Sequence, residues 1–195
     1  LVEQGVTSAK ASAEVDLSID RLVYYAGWSD KYQQVYSSVN PVESSHFNFS
    51  LPEPTGVVSI LSPENYGLIG LVSTIAPAIV GGNTVIVLAS SDKPLCAVTF
   101  AEVMHSSDLP AGVVNILTGH RAELISHFSN HMDVNACIYT GDVSADIKKI
   151  QENASLNVKR PMIYTKDDWM EESSQSPYKI MDLQEIKTTW HPIGQ

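Results

Sequence analysis

From Val57 to Tyr164 short apolar runs alternate with helical segments, and this alternation constrains the fold more than any other feature of the chain. Val57 to Leu61 has the length and composition of a strand buried on both faces. Tyr66 to Val80 carries a helix ended by Gly81-Gly82. Thr84 to Leu88 is a strand, and Pro94 to Ser106 a helix with Pro94 in its first turn. Val113 to Leu117 is a strand and Arg121 to Asn130 a helix. Ala136 to Tyr139 is a strand, Asp142 to Glu152 a helix with an acidic start, and Val158 to Tyr164 a last strand. Strand and helix repeated four times predict an α/β fold: an open, mostly parallel, doubly wound (Rossmann-like) sheet.

The flanks follow other patterns. Over residues 9 to 38, Leu22, Tyr25, Trp28, Tyr32 and Val35 recur three or four apart, which predicts an N-terminal helix with that face packed. Asn40-Pro41 is expected to stop it. His46 to Leu51 alternates apolar and polar residues as an exposed β arm would, and Pro52 and Pro54 are expected to break it. Thr165 to Asp182 is polar and predicts a linker or loop. Gln184 to His191 regains strand character through Ile186, Thr188, Thr189 and Trp190.

Composition excludes several classes. The 195 residues suffice for one sizeable core, and the net charge of −10 argues against a nucleic-acid surface. Two cysteines, Cys96 and Cys137, make no disulfide framework, which predicts a reducing, cytoplasmic setting. No membrane span is expected: the apolar run Leu68 to Val80 is too short and carries Ser73, Thr74 and Pro77. The chain starts at Leu1 rather than a methionine, so a longer parent protein is expected.

The common phosphate cradles are missing, since neither a Gly-x-Gly-x-x-Gly loop nor a Walker sequence occurs. Cys137 falls in a predicted buried strand, where a thiol is inert packing. Cys96 lies near a helix start, with no histidine close by in sequence. Of His46, His105, His120, His127, His131 and His191, only His127 and His131 are four apart, at a predicted helix end, so no metal site is assigned.

Several segments then share one order and spacing: Glu53-Pro-Thr-Gly-Val-Val58, Ala76-Pro-Ala-Ile-Val-Gly-Gly-Asn-Thr-Val85, Leu109-Pro-Ala-Gly-Val-Val-Asn115, His131-Met-Asp-Val134, Tyr139-Thr-Gly141 and Asn157-Val-Lys-Arg160. With Ile19-Asp-Arg-Leu-Val-Tyr-Tyr-Ala-Gly-Trp-Ser-Asp-Lys31 before them, they resemble the dinucleotide-binding part of aldehyde dehydrogenases over residues 16 to 160. The resemblance puts Asn65 at the asparagine that donates to an oxyanion; the residue type also suits a helix cap. Leu88 and Ser91 fall at the lysine and glutamate that hold the adenosine ribose, and neither can make those bonds. Asp142 follows Gly141 where the family has serine, and a carboxylate there repels a pyrophosphate. Arg121 replaces a second glycine beside the nucleotide, a change that is ambiguous because an arginine is also able to bind a phosphate. Tyr164 falls at the general-base glutamate, Lys166-Asp167 at the following glycine pair, and no cysteine follows Cys137 to act as nucleophile. Glu185 to Trp190 resembles the family's C-terminal strand, which pairs with a neighbouring subunit.

These readings make residues 1–164 an aldehyde dehydrogenase-like dinucleotide-binding-type domain with its helix and β arm, and residues 165–195 a linker with an oligomerisation-type strand. The shortened second domain of aldehyde dehydrogenase family 16 is similar. The expected role is non-catalytic assembly, as a homodimer or with a companion aldehyde dehydrogenase domain, without nucleic acid or membrane. On its own the chain is expected not to be an enzyme, to have no catalytic, cofactor-binding or metal residues, and to hold NAD weakly or not at all. The alternatives are the NAD(P)-binding part of an oxidoreductase that turns aldehydes into acids with its catalytic domain elsewhere, or a dinucleotide sensor.

Overall fold

The computed structural model describes residues 1–194; Gln195, the last residue of the expected tail, lies outside the described residues. Helix α1 (Ser8–Ala26) opens the chain and short α2 (Tyr32–Tyr36) follows. Of the face expected to pack, Tyr25 and Tyr32 are buried with Trp28 against them, but the rest of the inward face of α1 is not the apolar one expected. Ala11, Glu14, Ser18, Arg21 and Tyr25 point inward, while Leu22 and Val35 are exposed. Polar residues go in because partners wait there. Glu14 Oε1 accepts the backbone N–H groups of Leu68 and Ile69 at 2.7 and 3.1 Å, at the start of α3 (Ile69–Val80). Those donors have no partner within their own helix, so a carboxylate from α1 serves as the cap. Helix α3 therefore begins three residues later than expected, and Asn65 does not cap it.

Asn40-Pro41 does not end the first helix. Helix α1 stops at Ala26 and α2 at Tyr36, and residues Ser38–Asn40 form strand β1, paired antiparallel with β2 (His46–Pro54). Strand β2 also runs through Pro52 and Pro54 rather than breaking there. Both prolines share one parity along the strand, so their missing donors fall on one side, and beyond Ser50 β1 no longer flanks β2. On the other side β2 pairs over nine residues with β8 (Gln184–Pro192), from His46 opposite Pro192 to Pro54 opposite Gln184. Arm and tail, expected to lack a partner within the chain, are each other's partner in a three-stranded sheet ordered β1-β2-β8.

The central sheet matches its expectation closely. It comprises β3 (Val57–Leu61), β4 (Thr84–Leu88), β5 (Val114–Leu117), β6 (Ala136–Thr140) and β7 (Arg160–Tyr164), all parallel, in the order β5-β4-β3-β6-β7. Helices α3 and α4 (Pro94–His105) cover one face, where Val58, Ile60, Val85, Val87 and Ile138 meet Leu71, Ile75, Ala78 and Ala97. Helices α5 (Arg121–Asn130) and α6 (Ser144–Ser155) cover the other, where Leu61, Leu88, Cys137 and Tyr139 meet Ile125, Phe128 and Ile150. Helix α3 is apolar all round because α1, α2 and α7 (Tyr178–Met181) pack on its outer side through Tyr25, Tyr32 and Ile180.

The polar stretch after Tyr164 is packed rather than open. Arg21, fully buried, donates to Ser73 Oγ at 3.0 Å, Ser174 Oγ at 2.8 Å and the carbonyl of Glu171 at 3.2 Å. Trp169, Ser174, Ile180 and Leu183 are buried. Its buried side chains line this seam, while Thr165, Lys166, Asp168, Glu172 and Ser173 face solvent as in the expected loop.

Candidate functional site

In an open α/β sheet the strand order reverses at one point, and ligands bind outside the carboxyl ends of the strands there. Here that point lies between β3 and β6, and a crevice of about 320 Å³ opens above it, lined by Glu64, Asn65, Arg121, Gly141, Asp142 and Tyr164 among others. Thr140 Oγ1 donates to Leu61 O at 2.7 Å and ties the two strand ends together. Asn65 is exposed at the rim, and its side chain makes no hydrogen bond among the described residues. Leu88 is 2% exposed and belongs to the core under the sheet. Ser91 is committed elsewhere: its N–H and Oγ both donate to Glu64 Oε2, at 2.7 and 3.1 Å.

Arg121 enters the crevice from the start of α5. Its Nη1 donates to Thr140 O at 3.2 Å and its Nη2 to Ser62 O, so the guanidinium bridges the carboxyl ends of β6 and β3. Its Nε faces Glu64 Oε1 at 3.4 Å, an ionic contact rather than an aligned hydrogen bond. The cation also lies 5.2 Å from the centre of the Tyr139 ring. Arg121 thus sits among protein oxygens, and the first acid it meets is this chain's own Glu64.

Tyr164 lies at the outer wall. Burial, and then the neighbouring Asp182 carboxylate that accepts from its Oη at 2.9 Å, push its phenol above the usual range. Such a group is a poor proton acceptor at neutral pH. Lys179 packs 4.4 Å from the ring centres of both Tyr164 and Trp169 and pairs with Asp167. Burial lowers its pKa, and Asp167 opposes part of that. Cys137 is fully buried in β6, where burial pushes its thiol up. Cys96 is buried on α4, its Sγ 3.6 Å from Gln4 Oε1. His131 follows the end of α5, and among the described residues no three His, Cys, Asp or Glu gather to hold a metal. No helix among the described residues is long and apolar enough to cross a membrane.

The aldehyde dehydrogenase family model matches residues 1–182. The chain belongs to the aldehyde dehydrogenase family. Among its curated relatives, aldehyde dehydrogenase, cytosolic 1, of Elephantulus edwardii is 38% identical over 148 residues, which cover 75% of this chain and 29% of the relative. Hydroxyisobutyraldehyde dehydrogenase of Mycolicibacterium austroafricanum is 34% identical over 160 residues, 78% of this chain and 31% of the relative. A solved structure of betaine aldehyde dehydrogenase from Staphylococcus aureus, in complex with NAD+, superposes with a TM-score of 0.76 at 27% identity, over 83% of this chain and 32% of that one. The chain therefore spans about a third or less of the length of these relatives.

These matches correct the expectation that the chain is not an enzyme. Its family and relatives are dehydrogenases, and the missing cysteine and glutamate were sought in a stretch that spans under a third of the length of these curated relatives. The dinucleotide that the family implies does not fit the crevice as these side chains stand. Arg121 fills the switch point, Ser91 is held by Glu64, Leu88 offers no donor, and Asp142 puts a carboxylate just before α6. Sequence reasoning found Arg121 as a cation at a glycine position. It missed Glu64, Glu14 and Arg21 because their partners lie far along the chain, and Lys179 because its partner Asp167 lies in a stretch that reads as an open loop.

Proposed function

We propose that the chain is the dinucleotide-domain-type and assembly part of an aldehyde dehydrogenase, joining a second copy or a companion aldehyde dehydrogenase domain through the β1-β2-β8 sheet in a reducing, cytoplasmic setting. The carrying observation is β8. It is a nine-residue strand at the edge of its sheet, paired on one side only among the described residues and exposed from Ile186 onward. An unpaired strand edge is a template for another chain. Apolar side chains flank it: Val39, Phe47 and Leu51 are exposed beside Phe49 on one face, and Ile186 and Trp190 are exposed on β8. The preserved strand order supports a second reading, in which the chain is the dinucleotide-domain part of a protein that oxidises aldehydes to acids with catalytic residues outside this stretch.

Light scattering over a concentration series tests the assembly reading. The unsubstituted chain is expected to form a dimer or to bind a companion aldehyde dehydrogenase domain. Changing both Phe47 and Phe49 to Ser is expected to raise the dissociation constant by at least about a hundredfold, from about 1.5–3 kcal/mol for each apolar side chain left unburied. A monomer with no affinity for such a domain would overturn the reading.

A further inference from the structure

The crevice at the switch point already holds a cation. The guanidinium of Arg121 reaches the carbonyl of Ser62 after β3 and that of Thr140 at the end of β6, two oxygens that face each other across the place where the strand order reverses. Buried carbonyls at strand ends need donors, and one planar side chain supplies both. Glu64 neutralises the charge from the rim, and Ser91 fixes Glu64 through two hydrogen bonds to its other oxygen. The turn after β6 closes onto this group. A Cβ on Gly141 would fall 3.1 Å from Arg121 Nη1 and 2.9 Å from Tyr139 Oη, so only glycine lets the chain approach so closely.

We infer that Arg121 is a built-in stopper: its guanidinium clamps the ends of β3 and β6 together and keeps a dinucleotide phosphate out of the switch point. An arginine that served as a phosphate site would present free N–H groups and positive charge. Here the Nη atoms are committed to protein carbonyls and Nε faces a carboxylate. Of the other charged residues lining the mouth, Asp167 is paired with Lys179, and Asp142 has no ion-pair partner among the described residues. A phosphate entering this crevice has to displace Glu64 and leave two strand-end carbonyls without donors, each loss opposing binding. This inference stands apart from the assembly reading, which concerns the other sheet.

The test compares the unsubstituted chain with Arg121→Gly and Arg121→Gln, using NADH and inorganic pyrophosphate as probes. Trp169 lines the crevice and reports NADH by quenching of its fluorescence; calorimetry reports pyrophosphate. Arg121→Gly is expected to bind at least one probe ten times more tightly than the unsubstituted chain, to melt at a lower temperature without ligand, and to exchange the amide hydrogens of Gly141 and Asp142 faster. Arg121→Gln keeps one donor, so a smaller gain and a smaller loss of melting temperature are expected. Should Arg121→Gly fail to fold by circular dichroism, Arg121→Gln decides by the same comparison. Equal affinity of the folded variant and the unsubstituted chain for both probes overturns the stopper, whether that affinity is measurable or nil. So does micromolar NADH binding by the unsubstituted chain.

Discussion

Inside the parallel sheet every residue of β6 is buried, whereas β8 in the antiparallel sheet is exposed from its third residue to its last. The first sheet is stabilised by apolar side chains sealed between two helix layers. The second is held chiefly by its ladder to β2 and by cross-strand contacts such as Ser50 Oγ to Thr188 Oγ1 at 2.8 Å. Burial of apolar area is the larger driving force, and a two-sided seal delivers it in full. A sheet with one open edge and apolar residues in water leaves part of that area unburied within the chain.

The largest expected effect lies in the first sheet. Ile138→Ala, at a position 1% exposed among Ile60, Val87 and Met162, is expected to cost about 2–5 kcal/mol in urea unfolding. A loss under about 1 kcal/mol would erase the contrast between the sheets.

The second prediction concerns the seam that joins them, where Tyr25 of α1 meets the segment leading to β8. Burial pushes the Tyr25 phenol from 10 up to about 12, and the carbonyl of Ser176 lies 3.4 Å from its Oη. Between these values the folded chain keeps a proton that the unfolded chain has lost. The associated stability is present below pH 10 and is lost as pH rises through about 12, a change of about 2–3 kcal/mol. Tyr25→Phe is expected to flatten the stability profile in that window. An unchanged alkaline slope would detach Tyr25 from the seam.

The smallest effect belongs to the second sheet. Trp190 is 57% exposed, and Trp190→Ser is expected to change the stability of the dissociated chain by no more than about 0.5 kcal/mol in the same urea assay. A cost comparable to that of Ile138→Ala would show that β8 already has its burial within one chain.

The sequence made the parallel sheet legible because strand length, apolar runs and the turn at Gly81-Gly82 are local signals. Strands β3 and β4 and helix α5 begin and end where those signals place them. The inner face of α1 was illegible for the opposite reason. Glu14 and Arg21 look like solvent-facing charges until residues 54 and 153 positions away, Leu68 and Ser174, meet them in space. Pro52 and Pro54 misled because a proline ends a strand only where its N–H is needed, and need depends on which strand lies alongside. At the crevice, Arg121 was visible as an oddity, but its role depends on Ser62, Glu64 and Thr140, which no pattern within α5 points to.

The pairing of β2 with β8 also sets an order of events during synthesis. Ser50 and Thr188 are 138 residues apart, and every strand of the parallel sheet lies between them. The growing chain can complete that sheet while β2 has only β1 beside it. Closing so long a loop adds little entropy cost, because each doubling of length costs only about 0.6 kcal/mol; what delays the ladder is that β8 is translated after everything it must join. Until then the edge of β2 that β8 later covers stays unpaired, and an unpaired strand edge is a template for whichever complementary strand reaches it first.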